Sequence, residues 1–368
     1  MKLNEVLQWI PIWYQEATSG VPGACRSIRI KSGSGVGKST TFEQAPALIG
    51  KATGKHIGLA VLQAPLLTVG DSIGYLIPKR YEDHVEALYT WPHWFRTTEG
   101  KLLSEYDGGI VLVEEIDKAD PDIKKIIGEA ALSGRLGPHK LPKGWVVWFC
   151  GNRAGDRSGS TKELDHLIRR SREIEIQPDL GSWNEWADDN NIHPFVKTFV
   201  NQHADAIFLA EHPKKQGPWP NPASMVMVSG LIWALVGNDP KVPTDRAFEE
   251  NVAGNIGETL ARAFIVDATL GNEAPTYDEI VADPANTPIP VRADVQMLVV
   301  YNLAHRIELK AAAQVVTYVK RLPKEFTMTF MAAAVKRDYS LVEAPAVLAW
   351  VAQNASLMNM LHKYRKQR

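Results

Sequence analysis

The sequence predicts an α/β protein that has a parallel sheet in its first half and helices in its second half. Up to about residue 180, short apolar runs alternate with helical patterns, which is typical of a parallel α/β sheet. Beyond about residue 190 the strand signals stop, and helical patterns separated by proline-rich joints follow. The chain has 368 residues, 45% of them hydrophobic, which suits two or three domains with a sizeable core.

The strands of the first half are predicted from near-continuous apolar runs, as expected for strands buried on both faces. They span 26–31, 57–63, 109–114, 145–151 and 172–177. The last run alternates in polarity, so we expect it to be an edge strand. The helices of the second half are predicted at 193–210, 222–237, 245–270, 292–320 and 341–365.

A glycine-rich run, Ser-Gly-Ser-Gly-Val-Gly-Lys-Ser-Thr over residues 32–40, follows the first predicted strand and precedes a helix start. Such a loop can turn successive backbone N–H groups towards phosphate oxygens. The Lys38 ammonium would reach the β- and γ-phosphates, and the Ser39 hydroxyl would bind Mg²⁺. Ser32 stands where the pattern expects its first glycine. The candidate nucleotide-binding residues are Gly33, Ser34, Gly35, Val36, Gly37, Lys38, Ser39 and Thr40.

Two carboxylates end the third predicted strand, in the run Gly-Gly-Ile-Val-Leu-Val-Glu-Glu over residues 108–115. This arrangement suits a nucleotide hydrolase, in which one carboxylate supports Mg²⁺ and the next polarises the attacking water. We assign Glu114 to the metal and Glu115 to the water. An aspartate is usual at the first of these positions, and acidic residues at a strand end are often only a solvated turn.

Polar residues also follow the fourth strand and precede the fifth. Asn152 could orient the lytic water or contact the γ-phosphate, although an Asx turn is the common alternative at a strand end. Arg169 and Arg170 are candidates to stabilise the charge of a transferring phosphoryl group. A solvated helix cap is the alternative for this arginine pair.

In this order the motifs resemble those of the AAA+ ATPases, specifically the MoxR-like group and its phage or prophage-type members. The segments that carry the resemblance are 33–40, 71–78, 111–119, 127–137 and 152 with 169–170. The resemblance implies a P-loop NTPase core with a five-stranded parallel sheet in the order 5-1-4-3-2. It also implies an all-helical lid and a helical C-terminal extension, divided as 1–188, 189–240 and 241–368. Ala223 falls where the group usually has a second sensor arginine.

What the resemblance implies about function is an ATP-hydrolysing, Mg²⁺-dependent ring, usually a hexamer, with active sites shared between neighbouring subunits. Members of the group remodel protein complexes, often with a von Willebrand factor A partner protein. The alternative is a DNA-associated phage accessory ATPase for replication, transposition or packaging. The net charge of −1 and the lack of a dense basic stripe do not favour nucleic acid. A monomeric P-loop kinase fits poorly, because nothing resembles an acceptor site.

The remaining features bound the cellular setting. The two cysteines, Cys25 and Cys150, match no metal spacing, and Cys150 lies in an apolar run that predicts a buried, reduced thiol. No signal peptide is visible, and no apolar stretch reaches the ~20 residues of a membrane span. We therefore expect a cytoplasmic protein without a membrane partner.

Two further segments have candidate roles. The cluster Trp-Pro-His-Trp over residues 91–94 could grip a polypeptide, although local packing of a long loop is the alternative. The turn over residues 132–140 is a better candidate for this role and predicts an inward hairpin, with Gly134 and Gly137 as its pivots.

Overall fold

A computed structural model describes most of the chain. The described residues are 1–33, 35–153, 168–169, 171–208, 217–237, 241–354 and 357–358. The chain divides into two compact units, Met1–Asp179 and Leu180–Arg368. The first is the α/β unit and the second is helical. The further division of the helical half into a lid and an extension at residue 240 stays a prediction.

The described part of the α/β unit is organised around one parallel sheet and two small hairpins. Its strands are β1 (Ile28–Ser32), β2 (Ile57–Gln63), β3 (Leu76–Arg80), β4 (Val85–Tyr89), β5 (Gly108–Glu114), β6 (Arg135–Leu136), β7 (His139–Lys140), β8 (Trp145–Asn152) and β9 (Arg172–Glu175). The sheet runs β2-β5-β8-β1-β9, with every neighbouring pair parallel. Numbered within this sheet alone, its strands are in the order 5-1-4-3-2, which confirms the expected topology.

The strand bounds agree with the sequence prediction to within two residues. β1 begins at Ile28 instead of residue 26 and continues to Ser32. β9 ends at Glu175 instead of residue 177, and among the described residues it pairs only with β1, which confirms it as an edge strand. Both corrections concern strand ends, where the pattern of apolar residues does not determine the exact residue at which a strand begins or ends.

Helices cover both faces of the sheet in the α/β unit. They are α1 (Leu3–Thr18), α2 (Lys38–Glu43), α3 (Ala45–Thr53), α4 (Val69–Ile73) and α5 (Pro121–Ser133). The core on one face joins α1 to β1 and β8 around Trp148. The core on the other face joins α5 to β5 and β8 around Phe149. Alternate residues of β8 therefore enter opposite cores, as the two-residue period of a strand requires.

Two hairpins project from the connections between sheet strands. β6 and β7 form the hairpin predicted over residues 132–140, with φ angles of 68° at Gly134 and 55° at Gly137. β3 and β4 form a second antiparallel hairpin, in which Leu76 pairs with Tyr89; the sequence analysis did not predict it. Among the aromatic residues that follow it, Trp94 is buried and donates its indole N–H to the Ser72 carbonyl at 3.0 Å, whereas Trp91 is exposed.

The helical unit is built from more and shorter helices than its sequence predicts. The described helices are Leu180–Asp189, Pro194–Gln202, Ala204–Phe208, Pro222–Val236, Arg246–Ile256, Glu258–Gly271, Tyr277–Ala282, Ala293–Arg306, Ala312–Val319, Lys324–Arg337 and Pro345–Ala352. Among the described residues, none forms a helix long and apolar enough to span a membrane.

Four of the five predicted helices need correction. The prediction over 193–210 breaks at His203, and the prediction over 245–270 breaks at Gly257. Gly257 has a φ of 80°, a conformation that ends a right-handed helix. The prediction over 292–320 is interrupted after Arg306, and the described helix within 341–365 spans Pro345–Ala352. The predictions were too long because the helices on both sides of each break bury apolar faces, so the helical spacing of apolar residues continues across the break.

The described residues of the helical unit form two apolar cores. One is formed mainly by helices between residues 180 and 271, and the other mainly by helices between residues 277 and 352. The helix Ala293–Arg306 contributes to both, with Leu298 in the first core and Val299 in the second. The continuity of packing through this helix accounts for the single compact unit.

The centre of the α/β core gives a stability prediction. Trp148 is 0% exposed, and its ring lies 6.5 Å from that of Trp13 and 6.0 Å from that of Phe42. Trp148→Ala should lower the free energy of unfolding by about 3–5 kcal/mol, because it leaves a large cavity. Urea denaturation followed by far-UV circular dichroism measures this loss. Trp91→Ala is the control, because Trp91 is 63% exposed and should change stability by less than about 0.5 kcal/mol.

Candidate nucleotide-binding site

The candidate site lies at the carboxyl edge of the parallel sheet, where β1, β8 and β5 are neighbours. Register pairs Ser32 with Asn152 and Glu114 with Cys150. β1 and β8 therefore end at the same level, and β5 ends two residues earlier, so the residues that follow the three strands lie near one another. Open α/β sheets bind ligands in the crevice outside such carboxyl ends.

The loop after β1 has the backbone that a phosphate cradle requires. Gly35 and Gly37 have φ angles of 74° and 92°, which glycine adopts without the steric cost that other residues incur. Gly37 is the N-cap of α2, and Lys38 is its first residue. Gly33, Val36, Ser39 and Thr40 lie in the same strand–loop–helix connection, and Ser34 lies outside the described residues.

The Lys38 ammonium lies inside this loop and joins it to β8. Its Nζ donates to the Gly33 carbonyl at 2.9 Å and to Asn152 Oδ1 at 3.1 Å. It also contacts the carbonyl and the hydroxyl of Ser32, at 3.3 and 3.1 Å. These oxygens hold the cation where an incoming phosphate could replace them as its partners.

A hydroxyl and a carboxylate meet beside the loop. Ser39 Oγ donates to Glu114 Oε1, and Gln63 Nε2 donates to Glu114 Oε2. Oxygen donors of this kind suit Mg²⁺, which usually takes one or two protein ligands and completes its shell with phosphate and water. No group of three or more His, Cys, Asp or Glu among the described residues could hold a metal ion by itself. Ser39 and Glu114 supply one hydroxyl and one carboxylate, which fits the small number of protein ligands that Mg²⁺ takes when it is bound with a nucleotide.

Glu115 lies at the turn that follows β5 and has unusual backbone geometry. Its φ is 53°, in the left-handed region that residues other than glycine and asparagine rarely adopt. Its carboxylate is partly exposed and pairs with Lys118 Nζ at 2.6 Å. Strained residues of this kind cluster at functional sites, where the surrounding structure holds them in place.

Asn152 ends β8 and is buried. Its side-chain oxygen accepts from Lys38 Nζ, so the structure brings together the two residues that the sequence analysis placed near the γ-phosphate. Its backbone N–H donates to Asp117 Oδ1 at 3.4 Å. Asn152 is therefore connected both to the phosphate loop and to the turn after β5.

Contacts of the described residues do not bring the predicted arginines or Ala223 into this cluster. Arg169 is exposed, and Arg170 lies outside the described residues. Ala223 is the second residue of the helix Pro222–Val236, in the helical unit. Their roles stay predictions.

Sequence reasoning missed three residues that complete the site's surroundings. Gln63, which ends β2 and pairs in register with Glu114, binds the carboxylate directly. Asp117 and Lys124 are both buried, although charged residues at these positions predict solvent exposure. Strand order could have indicated Gln63, because β2 adjoins β5, but no local pattern indicates the buried pair.

Cys150 precedes the site within β8 and is a buried free thiol, as predicted. Burial, and secondarily the charge of Glu114, raise the pKa of this thiol to about 12. The thiol therefore stays protonated at neutral pH and is not a candidate nucleophile.

No protein-family model matches the chain, and no curated protein matches it. Among solved structures, a point mutant of RuvB from Thermotoga maritima is 10% identical, with 78% of this chain and 77% of that chain covered and a TM-score of 0.35. NtrX from Brucella abortus in complex with ADP is 17% identical, with 86% and 62% covered and a TM-score of 0.37. PCH-2 from C. elegans is 12% identical, with 73% and 68% covered and a TM-score of 0.33. Likenesses this weak do not decide function, which has to be inferred from the chain's own residues.

The two cysteines allow a test of the site's packing. At pH 9 iodoacetamide should modify the partly buried Cys25 and leave Cys150 unmodified, because a thiol of pKa about 12 is only about 0.1% ionised there. Peptide mass spectrometry measures both sites, and denaturation in guanidinium, which should expose both thiols, is the control. Equal labelling in the native protein would contradict the packing of β8.

Proposed function

We propose that this chain is a Mg²⁺-dependent ATPase of the AAA+ class, which hydrolyses ATP to ADP and phosphate. The observation that carries the proposal is the meeting of Lys38, Ser39, Glu114 and Asn152 at one edge of the sheet. The sheet order 5-1-4-3-2 and the positive φ angles of Gly35 and Gly37 support it. A lysine, a hydroxyl–carboxylate pair and a flexible glycine loop are together what triphosphate binding requires.

Each residue then has a distinct role. The Lys38 ammonium gives up its hydrogen bonds to the oxygens of Gly33 and Asn152 and binds phosphate oxygens instead, so that it neutralises part of the charge of the phosphates. Ser39 and Glu114 would hold Mg²⁺, which would offset the charge of the phosphates when bound. Glu115 orients and polarises the attacking water, and Asn152 donates its amide towards the γ-phosphate once Lys38 has left its oxygen.

The finer assignment is a MoxR-like, phage-type ring that remodels protein complexes, with Arg169 or Arg170 acting on the nucleotide of a neighbouring subunit. The motif order supports this assignment, and a group that acts between subunits needs a heterologous interface that closes into a ring. A hexamer and a von Willebrand factor A partner belong to the same proposal. No described residue cluster favours the alternative of a DNA-associated ATPase.

We also propose that basal turnover is slow or depends on a partner. Ser32 is 0% exposed, and its hydroxyl holds Lys38 in addition to the loop carbonyls. A glycine at this position would offer no such hydroxyl. Together with Glu114 and Ala223, Ser32 makes three departures from the usual pattern around one nucleotide. Fast turnover by the isolated protein would contradict this part of the proposal.

Glu115→Gln should keep ATP binding and lower turnover by about 10²-fold or more, because only water activation is lost. Phosphate release and the Kd of a fluorescent ATP analogue measure the two properties separately. Lys38→Ala is the matched variant, and it should weaken nucleotide binding itself. Full turnover in Glu115→Gln would refute the assignment of this residue.

Arg170→Ala should lower turnover by about 10³-fold, because it removes the arginine proposed to stabilise the transferring phosphoryl group of a neighbouring subunit. Mixing it with Lys38→Ala should restore activity, because intact loops then meet intact arginines. In a random equimolar ring, about one quarter of the interfaces would combine the two, which sets the expected recovery. A lack of recovery at every mixing ratio, with assembly verified by mass photometry, would exclude the shared site.

A further inference from the structure

Two charged residues are buried beneath the candidate site without a role in the mechanism above. Asp117 is 2% exposed and Lys124 is 1% exposed. Lys124 reaches from α5 and donates its Nζ to the backbone carbonyl of Asp117 at 3.0 Å. Burying such groups is costly, and apolar residues of similar size would often give equal or greater stability. The position of the pair therefore calls for an explanation beyond stability.

The pair fixes the short turn that begins at Glu115. Within this turn the Lys118 N–H donates to the Glu115 carbonyl at 2.9 Å, and the Ala119 N–H donates to the Ile116 carbonyl at 3.3 Å. Asp117 is the central residue of the turn, so the bond from Lys124 anchors it to α5. This anchorage helps to hold Glu115 in its left-handed conformation.

The Asp117 carboxylate connects the same turn to the end of β8. Its Oδ1 accepts the Asn152 N–H at 3.4 Å. A Cβ added to Gly151 would lie 2.7 Å from this oxygen, so the carboxylate packs directly against the strand. Because Asn152 also accepts a hydrogen bond from Lys38, a continuous set of contacts joins the phosphate loop to the turn of Glu115.

We infer that Asp117 and Lys124 are positioning residues that hold Glu115 and Asn152 in one rigid arrangement, so that a change at the γ-phosphate reaches the water-activating carboxylate. The inference rests on the proposed ATPase function. When Lys38 exchanges Asn152 for phosphate, Asn152 is released on one side and stays attached to Asp117 on the other. Asp117 then transmits any shift of the strand end to the turn of Glu115.

Three variants separate this role from a general contribution to stability. Asp117→Ala removes the acceptor for the Asn152 N–H and should lower kcat by about tenfold or more, with the Kd for an ATP analogue within twofold. Asp117→Asn keeps an oxygen at that position and should restore kcat to within threefold of the wild type. Gly151→Ala keeps the Asp117 carboxylate, but the added methyl group pushes it away from the strand. This variant should lower kcat about tenfold.

The matched control removes a partly buried ion pair from the same unit. Arg29 of β1 pairs with Glu173 of the edge strand β9. Glu173→Ala removes this partner from a guanidinium that is 4% exposed, and should lower thermal stability while kcat and nucleotide affinity stay within twofold of the wild type. All proteins are assayed as full-length chains well below their unfolding temperatures.

Amide hydrogen exchange decides the linkage independently of turnover. Exchange across Ile116–Ala119 and at Asn152 should rise in Asp117→Ala and Gly151→Ala, and stay near the wild type in Asp117→Asn. Unchanged exchange and kcat in folded Asp117→Ala would overturn the inference, as would an equal loss of kcat in the control. A wild-type protein that neither binds nor hydrolyses ATP would refute the proposed function, while the exchange pattern would still support or overturn the linkage.

Discussion

The parallel register of β1, β8 and β5 is the constraint on which the candidate site depends. Ser32 is level with Asn152, and Cys150 is level with Glu114, so the three strands end close to the same level. Apolar side chains on both faces hold this register, because a shift by one residue would turn every side chain to the opposite core. By holding the strands in register, the two cores also fix the positions of the polar residues at the strand ends.

At this edge the polar side chains satisfy one another. Lys38 is held by oxygens of the loop and of Asn152, Glu114 by Ser39 and Gln63, and Glu115 by Lys118. Ligand binding would therefore exchange existing partners for new ones, and its net free energy would be smaller than the new contacts alone suggest. The two residues that depart from the usual motif take part in this arrangement. The Ser32 hydroxyl adds a partner for Lys38, and the Glu114 carboxylate accepts hydrogen bonds from two donors.

Local patterns predicted those parts of the structure that local physics determines. Continuous apolar runs located the sheet strands, and the glycines before Lys38 located the loop, because each signal is contained in a few adjacent residues. Gln63 and the pair Asp117–Lys124 were missed, since their significance arises only when separate strands and α5 come together. The helices of the second half were predicted too long for a related reason: apolar periodicity records a buried face and does not record a break such as Gly257.

The left-handed backbone of Glu115 connects these observations. An L-residue in this region costs roughly 1–2 kcal/mol relative to a right-handed one, and glycine would avoid most of that cost. The turn is nevertheless stabilised around a glutamate, by the backbone bond from Lys118, by the anchor from Lys124 and by the contact of Asp117 with Asn152. These contacts lie in buried or partly buried surroundings, where hydrogen bonds are strong enough to offset strain of this size. The charged pair beneath the site is thus best understood as support for a conformation that chemistry requires and local preference opposes.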